Sequence, residues 1–220
     1  MTTNTQSSDP GYRDAMGRLL VLYTQVDKLI MEVCAEKIVS APDEPAKLAL
    51  AKQVGDESRH VAIQREWIYK FGTDAAPVLS IEQEKQIRKH FRNLTWLEFL
   101  ADMYICVEAL GSDAVERIVP LSDPGTRESL RIPLTDELDH INFGITRLKE
   151  ELAKLSPAVR KSFIDSLPDR IDTVTRALHG FGLNIPGMFA AVGANYGTLR
   201  QGVLARRQDL LNEVAKPIVR

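Results

Sequence analysis

Apolar residues recur every three to four positions along most of this chain, and no run shows the sustained alternation of a half-buried strand. The periodicity predicts an all-helical protein. A first helix is expected over about Tyr12–Val39, stopped by Pro42 and Pro45 in "SAPDEPA". A second runs from about Glu44 to Phe71 and closes at Gly72. The longer connection that follows holds Pro77 and a Ser80-x-x-Gln83 capping box, which starts a short helix. A third long helix is expected over roughly Asn93–Val119, ended by Pro120. A fourth begins near Asp123–Pro124, with proline just inside its start, and reaches about Leu155. A fifth starts at Ser156–Pro157, breaks near Pro168 and ends around Gly180. A sixth follows "GFGLNIPG", from about Pro186 to Val214.

The connections sort these elements. Helices one and two are joined by a few residues, as are three and four, so each pair folds back as an antiparallel hairpin. The link from two to three is long enough to cross a bundle. Two hairpins joined by one long crossover make the ferritin-like four-helix arrangement. An internal repeat supports it: "YTQVDKL" (23–29) matches "YICVEAL" (104–110) at an offset of 81, while "EKIV" (36–39) matches "ERIV" (116–119) and "DESRH" (56–60) matches "DELDH" (136–140) at 80. The slip falls between Leu29 and Glu36, and one extra residue within a helix is most simply housed as a π-bulge, expected in helix one. The expected organisation is a single domain over 1–220: a disordered lead-in (1–10), a four-helix core (11–155) and additional C-terminal helices (156–220).

Composition narrows the function classes. The net charge of −2 and the lack of any Lys/Arg-rich run give no nucleic-acid footprint. The longest uncharged stretch is interrupted by Pro186 and several glycines, and makes a poor membrane span. The N-terminus lacks a signal-peptide layout. Two cysteines, Cys34 and Cys106, read as buried free thiols. The expectation is a soluble, cytoplasmic protein, with homodimerisation possible.

The chemistry lies in the repeat. Residues three apart share a helix face, about 4.5 Å apart along the axis. Glu57 with His60, and Glu137 with His140, therefore each offer a carboxylate and an imidazole to a common point. A Glu-x-x-His pair is often only a solvated face. Here two of the four histidines carry one, at matched repeat positions. A dinuclear site needs one more carboxylate from each of the other helices. Hairpin counting from Glu57 points near residue 26 on helix one and near 107 on helix three, which selects Asp27 and Glu108; the repeat pairs these two independently. Glu32 and Glu36 fall on the polar stripe, whereas Asp27 shares a face with Leu20, Tyr23, Ile30 and Cys34. The candidate catalytic and metal-binding set is Asp27, Glu57, His60, Glu108, Glu137 and His140. Four carboxylates with one imidazole per ion suit iron or manganese better than zinc.

The order acid … Glu-x-x-His … acid … Glu-x-x-His resembles the non-haem di-iron carboxylate oxygenases and oxidases of the ferritin-like superfamily. "DESRH" matches the Asp-Glu-x-Arg-His signature of the bacterial multicomponent monooxygenases. "DELDH" has Asp139 where that signature has arginine, which, with the short chain, points to compact relatives such as the phenylacetyl-CoA epoxidase group, the tRNA-modifying hydroxylases or the aldehyde-deformylating oxygenases. The resemblance implies two iron ions (manganese or a mixed pair being the alternatives), dioxygen as co-substrate, a small organic substrate and an external electron donor or reductase. It also implies that Asp136 orients His60 and Asp56 orients His140. Tyr23 and Tyr104 sit one turn before Asp27 and Glu108, beside the site; packing with a hydrogen-bonded hydroxyl is their ordinary role, and redox-active tyrosines of some relatives are the alternative. Trp67 and Trp96 read as packing, and His90 and His179, without an acid at i−3, as ordinary residues. Gly111 and Gly144 either leave room for oxygen or substrate or serve helix contacts. The rival function is a ferroxidase or iron-handling protein without an organic substrate; a non-catalytic bundle subunit should have lost ligands.

Overall fold

The computed structural model describes residues 9–180 and 184–216, and the described residues contain helices and no strand. Residues 1–8 of the expected lead-in lie outside them. Asp9 and Pro10 are not part of a disordered arm: Asp9 caps the first helix, its carboxylate accepting from the Gly11 N–H at 2.8 Å. Helix α1 runs Pro10–Ile38 and α2 runs Glu44–Phe71, ending at Gly72 in the left-handed conformation. Their interface is the largest in the molecule. The crossover carries α3 (Ile81–Arg92), opened by the Ser80–Gln83 capping box. It lies along α1 through Arg88–Glu32 (2.6 Å) and Arg92–Glu36 (2.8 Å), which occupies the two acids of the polar stripe.

The third long rod is not one regular helix. It consists of α4 (Trp96–Ala101), a π-helical segment (Asp102–Ala109) and α5 (Leu110–Glu116). A single 3₁₀ turn (Val119–Leu121) leads into α6 (Pro124–Ala153). The extra winding expected in helix one therefore lies in the other half. A length mismatch between two copies of a hairpin requires one of them to change its winding, but the count does not say which. Here α1 stays α-helical throughout and the wide turns fall on the segment that carries Glu108.

The C-terminal third supplies α7 (Pro157–Gly180), α8 (Ile185–Ala191) and α9 (Tyr196–Ala215). The break expected at Pro168 is absent. Leu167 and Ile171 are both buried, so packing holds the turns on either side of the proline to one surface and overrides its lost hydrogen bond. The expected sixth helix is instead two. Gly193 adopts φ +82°, outside helical geometry, and Asn195 caps the restart by accepting from the Thr198 N–H. The glycine-rich stretch before it lies partly outside the described residues, as does the His179 side chain.

Two apolar clusters fill the bundle. One runs from Ile30, Cys34 and Leu50 through Leu100, Tyr104 and Leu148 to α7 and α9. The other joins Met16, Leu19 and Leu20 of α1 to Leu130 of α6 and Phe189 of α8. Trp96 stacks on Phe99 and Trp67 packs on Phe71, as packing residues do. Cys34 and Cys106 are buried and free. Among the described residues, no helix is long and apolar enough to cross a membrane.

Candidate metal centre

Polar side chains that are almost wholly removed from water gather between the clusters. Glu57 and His60 on α2 are fully buried; Glu108 is 1%, His140 4% and Asp27 8% exposed. Charged groups at that depth need compensation. Two triplets form: Asp27, Glu57 and His60, and Glu57, Glu108 and His140, with one possible ligand atom from each residue lying within 4.8 Å of the others in its triplet. Glu57 belongs to both. Glu137 is half-buried; its Oε2 accepts from the Ser112 hydroxyl at 2.8 Å, its carboxyl shares a hydrogen bond with Glu108, and its charge reaches Asp27. The six side chains come from four rods of the bundle, and the structure brings all six together.

The two histidines are held across the bundle. His60 Nε2 is 2.9 Å from Asp136 Oδ2 on α6, and His140 Nε2 is 3.1 Å from Asp56 Oδ2 on α2. Although partial burial pulls Asp56 upward, Lys52 and His140 hold it below the ordinary carboxylate range. Asp136 is held down likewise by His60 and Arg59. Both are ionised acceptors, so the Nε2 atoms carry the protons and the Nδ1 lone pairs face inward. His60 Nδ1 lies 3.2 Å from Glu57 Oε2, and His140 Nδ1 lies 3.4 Å from Glu57 Oε1. Arg59 spans the rim, hydrogen-bonded to Asp136 and 3.4 Å from Asp56.

The interior acids are shifted the other way. Burial, with the Glu137 charge adding, pushes Asp27 up to about 7; burial, with Glu57 and Asp27 adding, pushes Glu108 up to about 8. Glu57 and Glu137 are raised well above their usual range, by burial first and then by their acidic neighbours. Glu57 Oε1, Glu108 Oε2 and His140 Nδ1 are buried without a hydrogen-bond partner. Unpaired acceptors facing one another are what a cation resolves. The donors are carboxylate oxygen and imidazole nitrogen. The nearest thiol, Cys34, is pushed up by burial and by Glu108 and Glu57, and stays protonated. The set fits a pair of ions that favour oxygen with some nitrogen, iron or manganese.

Two residues that the sequence reading missed complete the site. Gln53 Nε2 donates to Glu108, and Gln64 Nε2 donates to Asp27 Oδ2 at 2.5 Å. They stand one turn before Glu57 and one turn after His60, so 53, 57, 60 and 64 form one polar stripe on α2. That stripe was the available signal. The Tyr104 hydroxyl donates to Gln53 Oε1 at 2.8 Å, and its ring occupies the space beside Gly144, where a Cβ would fall 1.9 Å from the ring. Gly144 thus serves a helix contact and leaves no free room; Gly111 faces open space. Tyr23 has a buried hydroxyl without a partner. His90 is not an idle residue: it lies 2.8 Å from the fully buried Asp102, which Arg170 of α7 also holds at 2.9 Å.

Fold and site together define a ferritin-like helical bundle with a buried carboxylate–imidazole cluster at its centre. No protein-family model matches the chain, and no curated protein matches its sequence. Among solved structures, the chain is similar to protein 19 with aldehyde deformylating oxidase activity from Synechococcus, with a TM-score of 0.76 at 15% identity, over 96% of this chain and 94% of that one. A likeness at that identity speaks for the shared fold.

Proposed function

We propose that the protein is a dinuclear-metal oxidoreductase that uses dioxygen to oxidise or hydroxylate a small organic substrate, with electrons from a separate donor. The observation that carries this reading is the cluster of buried, partnerless ligand atoms where the two triplets meet at Glu57. Asp27 and His60 would hold one ion, Glu108 and His140 the other, with Glu57 and Glu137 between them. Iron is the assignment; manganese is the alternative that the same donors accept. Two bound iron ions supply the redox changes and the open coordination positions that dioxygen chemistry requires.

The chain's own residues do the rest. Asp136 and Asp56 fix the imidazole tautomers, so that both lone pairs are presented without rearrangement. Gln53 and Gln64 hold Glu108 and Asp27 each by one oxygen and leave the other for the interior. Tyr104, Leu100 and Ile105 form an apolar wall that keeps water from one side of the cluster. The oxidase activity of the structurally similar Synechococcus protein favours an oxygen-consuming reaction over iron storage.

Loading the metal-free protein with ferrous iron under nitrogen tests the reading. The expected content is two irons per chain, with substrate-dependent oxygen uptake on exposure to air. Uptake of iron far above two per chain, as a polynuclear ferric deposit, would instead make the protein an iron-handling one. His60→Ala and His140→Ala should each lose paired-metal binding while keeping their helix content.

A further inference from the structure

The two halves of the site use the same three residue types and differ in one link. On the Glu108 side the chain is closed: the Tyr104 hydroxyl donates to Gln53 Oε1, and Gln53 Nε2 donates to Glu108. On the Asp27 side Gln64 Nε2 donates to Asp27, but Gln64 Oε1 has no partner, and neither has the Tyr23 hydroxyl. Both atoms are buried, and Gln64 as a whole is 4% exposed. Tyr23 stands one turn before Asp27 on α1, and Gln64 one turn after His60 on the antiparallel α2, so the two groups lie at one level of the bundle.

An unpaired donor and an unpaired acceptor at one level describe a complementary guest. Leaving both unmade is unfavourable in the interior, and native structures rarely do so. The guest must accept from a phenol O–H and donate to an amide carbonyl. A hydroxyl does both. A bare carbonyl or an ether would satisfy Tyr23 and leave Gln64 unpaired; an ammonium would do the reverse. The surroundings are apolar, since Tyr23 packs against the cluster that contains Leu20, Leu130, Phe189 and Val192. Helix α8 lies on α1 in this region, and Tyr23 itself is only half-buried.

We propose that Tyr23 and Gln64 receive the hydroxyl head of an apolar compound, a primary alcohol in the simplest case, and so place its oxygen-bearing carbon beside Asp27. That this compound is the substrate rests on the oxidase reading above; its binding does not.

Calorimetric titration of the full-length protein tests the proposal, in metal-free form and loaded with ferrous iron under nitrogen. The probes are butan-1-ol, octan-1-ol and 1-methoxyheptane, the last matching octanol in heavy atoms but unable to donate. At least one alcohol should saturate a single site, with the ether weaker by about tenfold, the worth of one neutral hydrogen bond. Tyr23→Phe should weaken alcohol binding by about tenfold for the same reason. Tyr104→Phe, the same change on the closed side, should leave it unaltered. An unchanged affinity in Tyr23→Phe, or no saturation by either alcohol, overturns the proposal and makes the two atoms the seat of a structural water. Iron content measured on the same samples separates the two readings: alcohol binding without paired iron defeats the oxidase reading alone, and paired iron without alcohol binding defeats this one alone.

Discussion

Raising the pH from 5 to 8 should destabilise the metal-free protein. Asp27 is pushed from 3.8 up to about 7 and Glu108 from 4.5 up to about 8, so both hold protons in the folded state that the unfolded chain has already released. Their contribution to stability is fully present below about pH 4 and is lost as the pH rises through 7 to 8. Asp27 alone accounts for a loss of about 4 kcal/mol at 1.36 kcal/mol per unit. Glu108 adds to this, but by less than its separate value, because each shift already contains the other's charge. Asp56 and Asp136 shift in the opposite direction, and their contribution is lost only as the pH falls through the acid range, outside this window. A loss of about 4 kcal/mol is a large share of an ordinary folding free energy, and corresponds to a fall in Tm of about 10 °C for a chain of this length. Bound divalent metal replaces the protons, so its stabilising effect should grow over the same pH range and flatten or reverse the slope. Calorimetry of chelator-treated protein at pH 5, 6, 7 and 8, with and without manganous ion, measures both curves. A metal-free Tm that stays level or climbs from pH 5 to 8 would refute the reasoning, since the four acids would then not be sharing a buried space.

Three further outcomes follow from the packing. Gln53→Leu strips a donor from Glu108 and an acceptor from Tyr104, and should weaken metal binding by about tenfold or more in competition with a chelator. Gly144→Ala places a methyl group 1.9 Å from the Tyr104 ring and should cost about 3 kcal/mol in urea unfolding, with the Tyr104 environment altered in near-ultraviolet spectra. Arg170→Met leaves the buried Asp102 with His90 as its remaining cationic partner and should cost about 3 kcal/mol, partly recovered by the double change with Asp102→Asn.

Much of the site was legible because its chemistry repeats. Glu57/His60 and Glu137/His140 advertise themselves by spacing, and hairpin geometry converts that spacing into positions on the other helices, which is how Asp27 and Glu108 were reached. Gln53 and Gln64 were not, because an amide on a half-polar stripe looks like solvated surface until the carboxylate it serves has been located. The helix limits were readable wherever a cap or a proline acted locally, as at Glu44–Phe71. They failed where packing decides. Leu167 and Ile171 carry α7 through Pro168, and the wide turns sit at Asp102–Ala109, where Asp102 is held by Arg170, a residue 68 positions further along.

The exchange of acids between α2 and α6 makes neither hairpin self-sufficient. Asp56 serves the histidine of the second hairpin and Asp136 that of the first. A fragment ending in the crossover would retain Asp27, Glu57 and His60 yet have no carboxylate to steer its own imidazole. Severed halves should therefore regain ordered imidazoles only on mixing, and two copies of a single hairpin, paired about a twofold axis, would satisfy the same requirement.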